Sequence, residues 1–218
     1  MLTNQEIQDT YSRHAKHYDV AVQLYRLLGL RIQTYRSHAV ELLRLKRGDC
    51  VIDLGCGTGL NFSLIVERIG PEGRLIGVDL SPQMLAFARK RAERCAWKNV
   101  ELVQSDMATY DFPQGINGTL STGAFGYVTE YEQVIEKVSH VLVPGGRFVI
   151  VDGKQPERGP SWLFKLFVWF SQPFAVTPEY FEHRCWESVE RFFKEAEFRM
   201  VYGGLIYISS GTASSSVV

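Results

Sequence analysis

Two periods alternate along this chain. Short runs rich in valine, isoleucine and leucine are separated by longer stretches in which apolar residues recur every three to four positions. The runs predict strands at 50–54, 74–78 (ending at Asp79), 100–104, 116–122 and 147–152. The stretches predict helices. One covers 59–69, with Leu60, Leu64, Ile65 and Ile69, and is stopped by Gly70-Pro71. A second covers 82–95, with Met84, Leu85, Ala88 and Ala92 on one face, Ser81 as N-cap and Pro82 in the first turn. A third covers about 130–142, ended by Pro144-Gly145-Gly146. Such an alternation folds as a doubly wound α/β sheet with parallel strands. Upstream, Tyr11, Ala15 and Tyr18 recur at helical spacing within 3–18, and Asp19 follows. Residues 21–45 carry one amphipathic stripe, from Leu24 to Leu43, bent at Gly29. Downstream, two further strands, 198–202 and 205–209, flank the hairpin turn Gly203-Gly204.

A chain of 218 residues makes one domain with a sizeable core, burying roughly 70% of its unfolded surface. The expected organisation is a single domain over 1–211, with an N-terminal helical lid at 1–45 and an aromatic-rich insert at 153–196. The serine-rich end, Ser209 to Val218, is expected to be disordered, with 212–218 outside the domain. Lys plus Arg and Asp plus Glu both number 24, so no global charge favours a nucleic-acid partner. Cys50, Cys56, Cys95 and Cys185 form no CxxC pair and no zinc spacing. Reduced thiols, a cytoplasmic location and no metal are the expectations. The polar N-terminus offers no signal-peptide apolar region, and no apolar run is long enough to span a bilayer.

The candidate chemistry centres on Val51-Ile52-Asp53-Leu54-Gly55-Cys56-Gly57-Thr58-Gly59. A buried strand carrying an acid runs into glycines at every second position. Glycine lets the backbone turn sharply and approach a ligand closely. A nucleotide-like ligand would lie outside the carboxyl end of that strand. The alternative is an ordinary strand–turn–helix corner. Asp53, acidic among apolar residues, needs partners, and the loop amides or a ligand ammonium are the expected ones. Asp79 stands twenty residues after Gly59, where a carboxylate accepts hydrogen bonds from a ribose diol; otherwise it is a neighbour of the Ser81 cap. Asp106 ends the third strand on the same edge. It suits an adenine amino group with Met107 beside the ring, or else is a turn residue. GxGxG lacks the third glycine of a dinucleotide loop, so the ligand need not carry phosphate.

On these residues the chain resembles the class I S-adenosylmethionine-dependent methyltransferases. Acidic-x-GxGxG, the acids ending strands two and three, and Pro144-Gly145-Gly146 before strand five all match. The resemblance implies a three-layer Rossmann-like sandwich. Its seven-stranded, mostly parallel sheet has the order 3-2-1-4-5-7-6, with strand seven antiparallel, N-terminal helices and a helical insert before strand six. It further implies S-adenosylmethionine as cofactor, with Tyr18, Asp53, Gly55, Cys56, Gly57, Gly59, Asp79, Leu80, Met84, Asp106, Met107 and Thr122 as its contacts. Over nearly the full length the chain is similar to the ubiquinone/menaquinone C-methyltransferases and the phospholipid N-methyltransferases. The matching stretches are Tyr11-xxx-Ala15-xx-Tyr18-Asp19, GVDLSPQML from Gly77, HVLVPGGRFVIVDGKQP from His140, Glu187-Ser188-Val189 and the closing GGLIYISSG. It departs from the quinone enzymes where Ile116-Asn117 opens strand four, where Gly126-Tyr127 replaces their Arg-Asn, and at Lys154-Gln155.

The implied activity is methyl transfer to a hydrophobic acceptor, a quinol carbon or a phospholipid amine. A methyltransferase of soluble metabolites, a non-catalytic cofactor-binding member and a nicotinamide oxidoreductase are the competing readings. Thr122, His183 and Tyr11 are the candidates on the acceptor side; His14, His17, His38 and His140 are expected to be lid, structural or surface residues. The insert stretch SWLFKLFVWFSQPFAV, 161–176, is apolar on all sides as a helix. That pattern is read as a buried lid helix, an acceptor pocket or a peripheral membrane contact. Lys154, Arg158 and Arg184 flank it and could meet an anionic head group.

Overall fold

A computed structural model describes residues 3, 5–11, 32–157, 160–172 and 175–214 of the chain. Among them a seven-stranded sheet runs in the order β3-β2-β1-β4-β5-β7-β6. Its strands are β1 (Cys50–Leu54), β2 (Arg74–Asp79), β3 (Val100–Gln104), β4 (Ile116–Thr122), β5 (Leu142–Gly153), β6 (Lys194–Val201) and β7 (Ile206–Thr212). The β1–β2, β2–β3, β1–β4 and β4–β5 pairs are parallel. β7 runs antiparallel between β5 and β6. This is the topology that the family resemblance implies.

The described helices are α1 (5–11), α2 (Ile32–Leu42), α3 (Phe62–Ile69), α4 (Pro82–Arg94), α5 (Tyr131–Val141), α6 (Ser161–Ser171) and α7 (Cys185–Phe192). Alternate residues of each strand feed opposite faces. Val51, Leu75, Leu120 and Val149 pack on one side with Ala39 and Val40 of α2, Phe62 and Ile65 of α3 and Leu85 and Ala88 of α4. Ile52, Leu54, Phe148 and Ile150 pack on the other with Val134 and Val138 of α5 and Trp186 and Val189 of α7. The strands are thus covered on both faces, which is why they read as near-continuous apolar runs.

Several boundaries differ from the sequence reading. The glycine turn uses up 59–61, so α3 begins at Phe62. α5 ends at Val141, and Leu142 already pairs with Ile116, before Pro144 is reached. Pro144-Gly145-Gly146 instead clamps the end of β7: the Gly145 N–H donates to Ala213 O, and the Ala213 N–H to Gly146 O. The serine-rich end is therefore not a tail from Ser209 or from 212. Ser209 and Ser210 are buried in β7, Thr212 pairs with both Arg147 and Lys194, and Ala213 is buried. Strand six starts at Lys194, which shortens the insert. Residues 12–31 lie outside the described set, and with them most of the expected lid and the bend at Gly29.

Buried Arg147 at the start of the parallel part of β5 ties these parts together. Its Nε donates to Leu42 O, at the C-terminal end of α2, while Nη1 and Nη2 donate to Thr212 Oγ1 and Ser210 Oγ. α6 is not buried all round, as its composition predicts. Phe164 and Phe167 pack against Phe181 and Val168 is buried, but Trp162, Leu166 and Trp169 are 64%, 42% and 60% exposed.

Candidate active site

The carboxyl ends of β1–β4 open into a concave cleft, the kind of place where α/β sheets bind small molecules. Its walls come from the loop after β1 (Gly55, Gly57), the end of β2 (Val78 to Ser81), Met84, the end of β3 (Ser105 to Met107), the end of β4 (Thr122 to Ala124), Tyr127, Val128, and Ile7, Gln8 and Tyr11 of α1. The sheet order sets their spatial order: Asp106 at one end, then Asp79, then the glycine loop, then Thr122 and Tyr127.

The loop is built by hydrogen bonding back to the sheet. The Gly55 and Cys56 N–H groups both donate to Val78 O at 2.8 and 3.0 Å. Gly55 sits at φ +67° against Ala124, whose Cβ a side chain at 55 would overlap. Gly57, at φ +55°, faces open space, and its N–H donates to Asp79 Oδ2 at 2.7 Å. Asp79 Oδ1 accepts the Ser81 N–H at 2.9 Å. Asp79 is therefore both cleft wall and cap neighbour; the two sequence readings are not exclusive. Burial raises its pKa against the pull of those two amides. Asp106 accepts the Ala108 N–H at 2.9 Å, a tight turn that presents Met107 to the cleft.

Asp53 is fully buried behind the loop and does not line the cleft. The loop amides are not its partners, as the sequence reading expects. Both of its oxygens accept Asn61 Nδ2, at 3.0 and 3.1 Å. Burial raises its pKa from 3.8 to about 7, opposed by the Asn61 bond and by the Arg36 cation. Arg36 Nη1 donates to Asn61 Oδ1 at 2.7 Å and to Thr122 Oγ1 at 2.9 Å. Arg36 Nε is buried with no hydrogen-bond partner among the described residues. Arg36 and Asn61 are the site residues that sequence reasoning missed. An arginine inside the apolar stripe between Tyr35 and Ala39 was the available signal.

Other candidates fall outside the cleft. The Cys56 thiol points into the core against Gly77 and Phe62, where burial raises its pKa. Gly59 is closed off by the Phe62 ring. Tyr18 lies outside the described residues, as do His14 and His17. His183 is buried, stacked on Tyr131 at 4.7 Å, with Nδ1 3.0 Å from Phe125 O; it braces the turn behind the cleft. His38 lies 3.7 Å from Glu41 on α2, and His140 is exposed. Lys154 pairs with Glu157 at 2.7 Å and Arg184 with Glu187 at 2.9 Å, so neither flanking cation is uncommitted; Arg158 is outside the described residues.

The β4 end of the cleft rests on a carboxylate. Asp152, buried at the end of β5, accepts the N–H of Phe125 at 2.8 Å and that of Gly126 at 3.3 Å through Oδ2. Oδ1 accepts the Gly153 N–H at 2.7 Å and the Tyr180 hydroxyl. Burial raises its pKa, and the Tyr180 bond opposes this. One side chain thus joins the 3₁₀ turn Phe125–Tyr127 to the 3₁₀ turn Pro178–Phe181.

Comparison with known proteins agrees with this geometry. Residues 45–196 match the family model described as a methyltransferase domain. The demethylmenaquinone methyltransferase of Listeria monocytogenes is 32% identical over 200 residues, covering 84% of this chain and 82% of the relative. The 2-phytyl-1,4-naphtoquinone methyltransferase of Thermosynechococcus vestitus is 31% identical over 172 residues, 78% of this chain and 73% of the relative. The crystal structure of geranyl diphosphate C-methyltransferase from Streptomyces coelicolor superposes with a TM-score of 0.67 at 16% identity, over 90% of this chain and 84% of that one, a likeness of fold. A glycine loop on β1, acids closing β2 and β3, the 3-2-1-4-5-7-6 sheet and these matches have one reading: the chain belongs to the methyltransferase domain family and is an S-adenosylmethionine-dependent methyltransferase.

Proposed function

We propose that this enzyme methylates a reduced, lipid-like naphthoquinone, a quinol carrying a hydrocarbon tail. The observation that carries the reading is the polarity gradient along the cleft. Carboxylates mark the β2–β3 end; an aromatic and aliphatic wall marks the β4 end. There Tyr127 and Val128 line the cleft, and Tyr180, Phe181, Phe164 and Phe167 pack behind Tyr127. A phytyl-naphthoquinone, the acceptor named for one relative, has the matching make-up of ring and apolar tail.

In this reading Asp106 and Met107 meet the adenine, Asp79 the ribose diol, and the Gly55–Gly57 loop the methionine end, with Leu80 and Met84 flanking. Asp53 and Arg36 bring opposite charges to that end, suiting an ammonium and a carboxylate. The orphaned, buried Arg36 Nε fits such a zwitterion. The bound cofactor supplies a methyl group on a sulfonium. The chain's own residues have to align acceptor and methyl and exclude water, and positioning of that kind supplies about 7–11 kcal/mol. No histidine lines the described cleft. The hydroxyls of Thr122, Tyr127 and Tyr11 are among the polar groups that line it.

Trp162, Leu166 and Trp169 stand at i, i+4 and i+7 on the exposed face of α6, one helical stripe. Among the described residues no helix is long and apolar enough to cross a membrane. An apolar, tryptophan-bearing helix face of this kind suits a bilayer interface, and α6 sits against the wall that would hold the acceptor tail. Peripheral membrane contact through 161–176 is part of the proposal.

The test is methyl transfer from labelled S-adenosylmethionine to a reduced 2-prenyl-1,4-naphthoquinone in mixed micelles, to a phospholipid amine and to soluble phenols. Label on a quinol ring carbon, located by mass spectrometry, supports the proposal; transfer only to soluble acceptors overturns it. Flotation with liposomes, lost on Trp162→Ser/Trp169→Ser, tests the membrane contact.

A further inference from the structure

Tyr127 is held from three directions. Its turn is fixed by the Phe125 and Gly126 N–H bonds to Asp152. Its ring lies edge-on to Tyr180 at 4.7 Å, and the Tyr180 hydroxyl donates to the same Asp152. Its own hydroxyl accepts from the Tyr11 hydroxyl at 2.9 Å, the rings meeting at 87°. Gly126 makes this packing feasible, since a Cβ there would overlap the Tyr180 ring. A side chain constrained this way is preorganised, which is what recognition demands. Both phenols line the cleft, with apolar Ile7, Ala124 and Val128 as neighbours. A pair of hydroxyls is thus set at the end of the cleft away from Asp79 and Asp106. A phenolic hydroxyl is able both to donate to and to accept from an oxygen of a ligand in the cleft.

We propose that Tyr127, oriented by Tyr11 and Tyr180, is the residue that selects the acceptor, by hydrogen-bonding the ring oxygen next to the carbon that receives the methyl group. Tyr11 and Tyr180 are positioning residues: Tyr11 carries α1 across the cleft onto Tyr127, and Tyr180 locks the ring. A site built to bond a substrate hydroxyl discriminates strongly against an analogue lacking it, because its own polar group is left unpaired in a dry wall.

The inference rests on the quinol reading, and its test separates the two. Wild type, Tyr127→Phe, Tyr11→Phe and the double variant are assayed with a reduced 2-prenyl-1,4-naphthoquinone and with the matching 2-prenyl naphthol that lacks the 4-hydroxyl, and with the isomer that lacks the 1-hydroxyl. Dissociation constants for S-adenosylhomocysteine are measured in parallel. The expected result is a kcat/KM for the quinol lowered roughly 10–100-fold in Tyr127→Phe. Preference for the quinol over the naphthol that lacks the 4-hydroxyl, the oxygen next to the methylated carbon, should shrink by the same factor, with S-adenosylhomocysteine affinity held within about twofold. Tyr11→Phe should lower kcat/KM less, and the double variant should add little to Tyr127→Phe, as expected for groups acting as a unit. Undiminished preference for the quinol in Tyr127→Phe, or a loss of S-adenosylhomocysteine affinity equal to the loss of turnover, overturns the inference, since the pair would then only close the cofactor cleft. Failure of the wild type on every quinol, with S-adenosylhomocysteine still bound, overturns the acceptor reading and the inference with it.

Discussion

Asp53→Asn isolates the energetics of the carboxylate under the glycine loop. Asp53 is fully buried and, among the described residues, accepts the Asn61 amide, with Arg36 acting from beyond it. Burial raises its folded-state pKa from 3.8 to about 7. A carboxyl whose pKa is higher in the folded than in the unfolded chain holds its proton more tightly when folded. Its destabilising effect is therefore absent below about pH 3.8, grows as pH rises, and levels off above about pH 7. At about 1.4 kcal/mol per pH unit the full effect reaches about 4 kcal/mol, of which about 2 kcal/mol accrues between pH 5 and pH 7. Asparagine keeps the shape but does not titrate. It forfeits one of the two Asn61 contacts, a constant offset of about 1 kcal/mol. Urea unfolding of both proteins from pH 4.5 to 8 reads the difference. The wild type should lose about 2 kcal/mol more than the variant between pH 5 and 7, roughly 4–8 °C if followed as Tm. Comparing the two cancels the other titrating groups. Parallel pH profiles would refute the reasoning, because they would mean that Asp53 ionises in the folded chain as it does in the unfolded one.

Three further outcomes follow from the same geometry. S-adenosylhomocysteine, whose ammonium would favour ionised Asp53, should release a fraction of a proton on binding near pH 7, measured by calorimetry in buffers of different ionisation enthalpy; Asp53→Asn should abolish the release. Asp79→Ala should weaken S-adenosylhomocysteine by about 1–3 kcal/mol, since it removes both a ligand contact and the acceptor of the Gly57 and Ser81 amides; unchanged affinity by calorimetry would remove Asp79 from the site. Gly126→Ala should destabilise by about 1–3 kcal/mol, because its Cβ overlaps the Tyr180 ring. Tyr180→Leu in the same chain should recover part of that in denaturant unfolding, and independent, additive effects would contradict the packing described.

What the sequence made legible was whatever is written locally. Each parallel strand is covered on both faces, so its apolar run stands out, and β1, β3 and β4 fall where periodicity puts them. Asp79 and Asp106 were readable because each closes an apolar run at the same edge of a parallel sheet, and the order of that sheet came from the family resemblance. The unreadable parts depend on partners far apart in the chain. Arg36 interrupts the apolar stripe of its helix without a local reason until Asn61 and Thr122 meet it 25 and 86 residues later. His183 looks like a free imidazole until Phe125 O, 58 residues earlier, takes its Nδ1. The serines of β7 mimic a low-complexity tail because their burial comes from Arg147 and the Pro-Gly-Gly clamp, not from their own composition. α6 misled in the opposite sense: an all-apolar helix is expected to be covered, and half of this one is not.

Three carboxylates, Asp53 and Asp152 buried and Asp79 half-buried, stand near strand ends along one sheet edge, and their partners differ in a way that bears on ligand choice. Asp152 takes three backbone N–H groups and a phenol; Asp79 takes two backbone N–H groups. Asp53 has a single side-chain amide. Burial raises the pKa of all three, yet among the described residues Asp53 has no backbone donor to offset it. A cation arriving at the glycine loop therefore gains most near Asp53. A pyrophosphate there would meet the opposite situation. It would lie between two carboxylates, and the Gly57 N–H that a phosphate would need is already donated to Asp79. At a Rossmann-type loop the helix dipole and free amides favour anions. Here the amide is committed and the buried charge is negative, so electrostatics reverse that preference toward a ligand whose amino-acid end carries an ammonium and whose reactive sulfur is cationic. The choice between dinucleotide and S-adenosylmethionine thus rests less on a missing third glycine than on where the loop's own N–H groups already point.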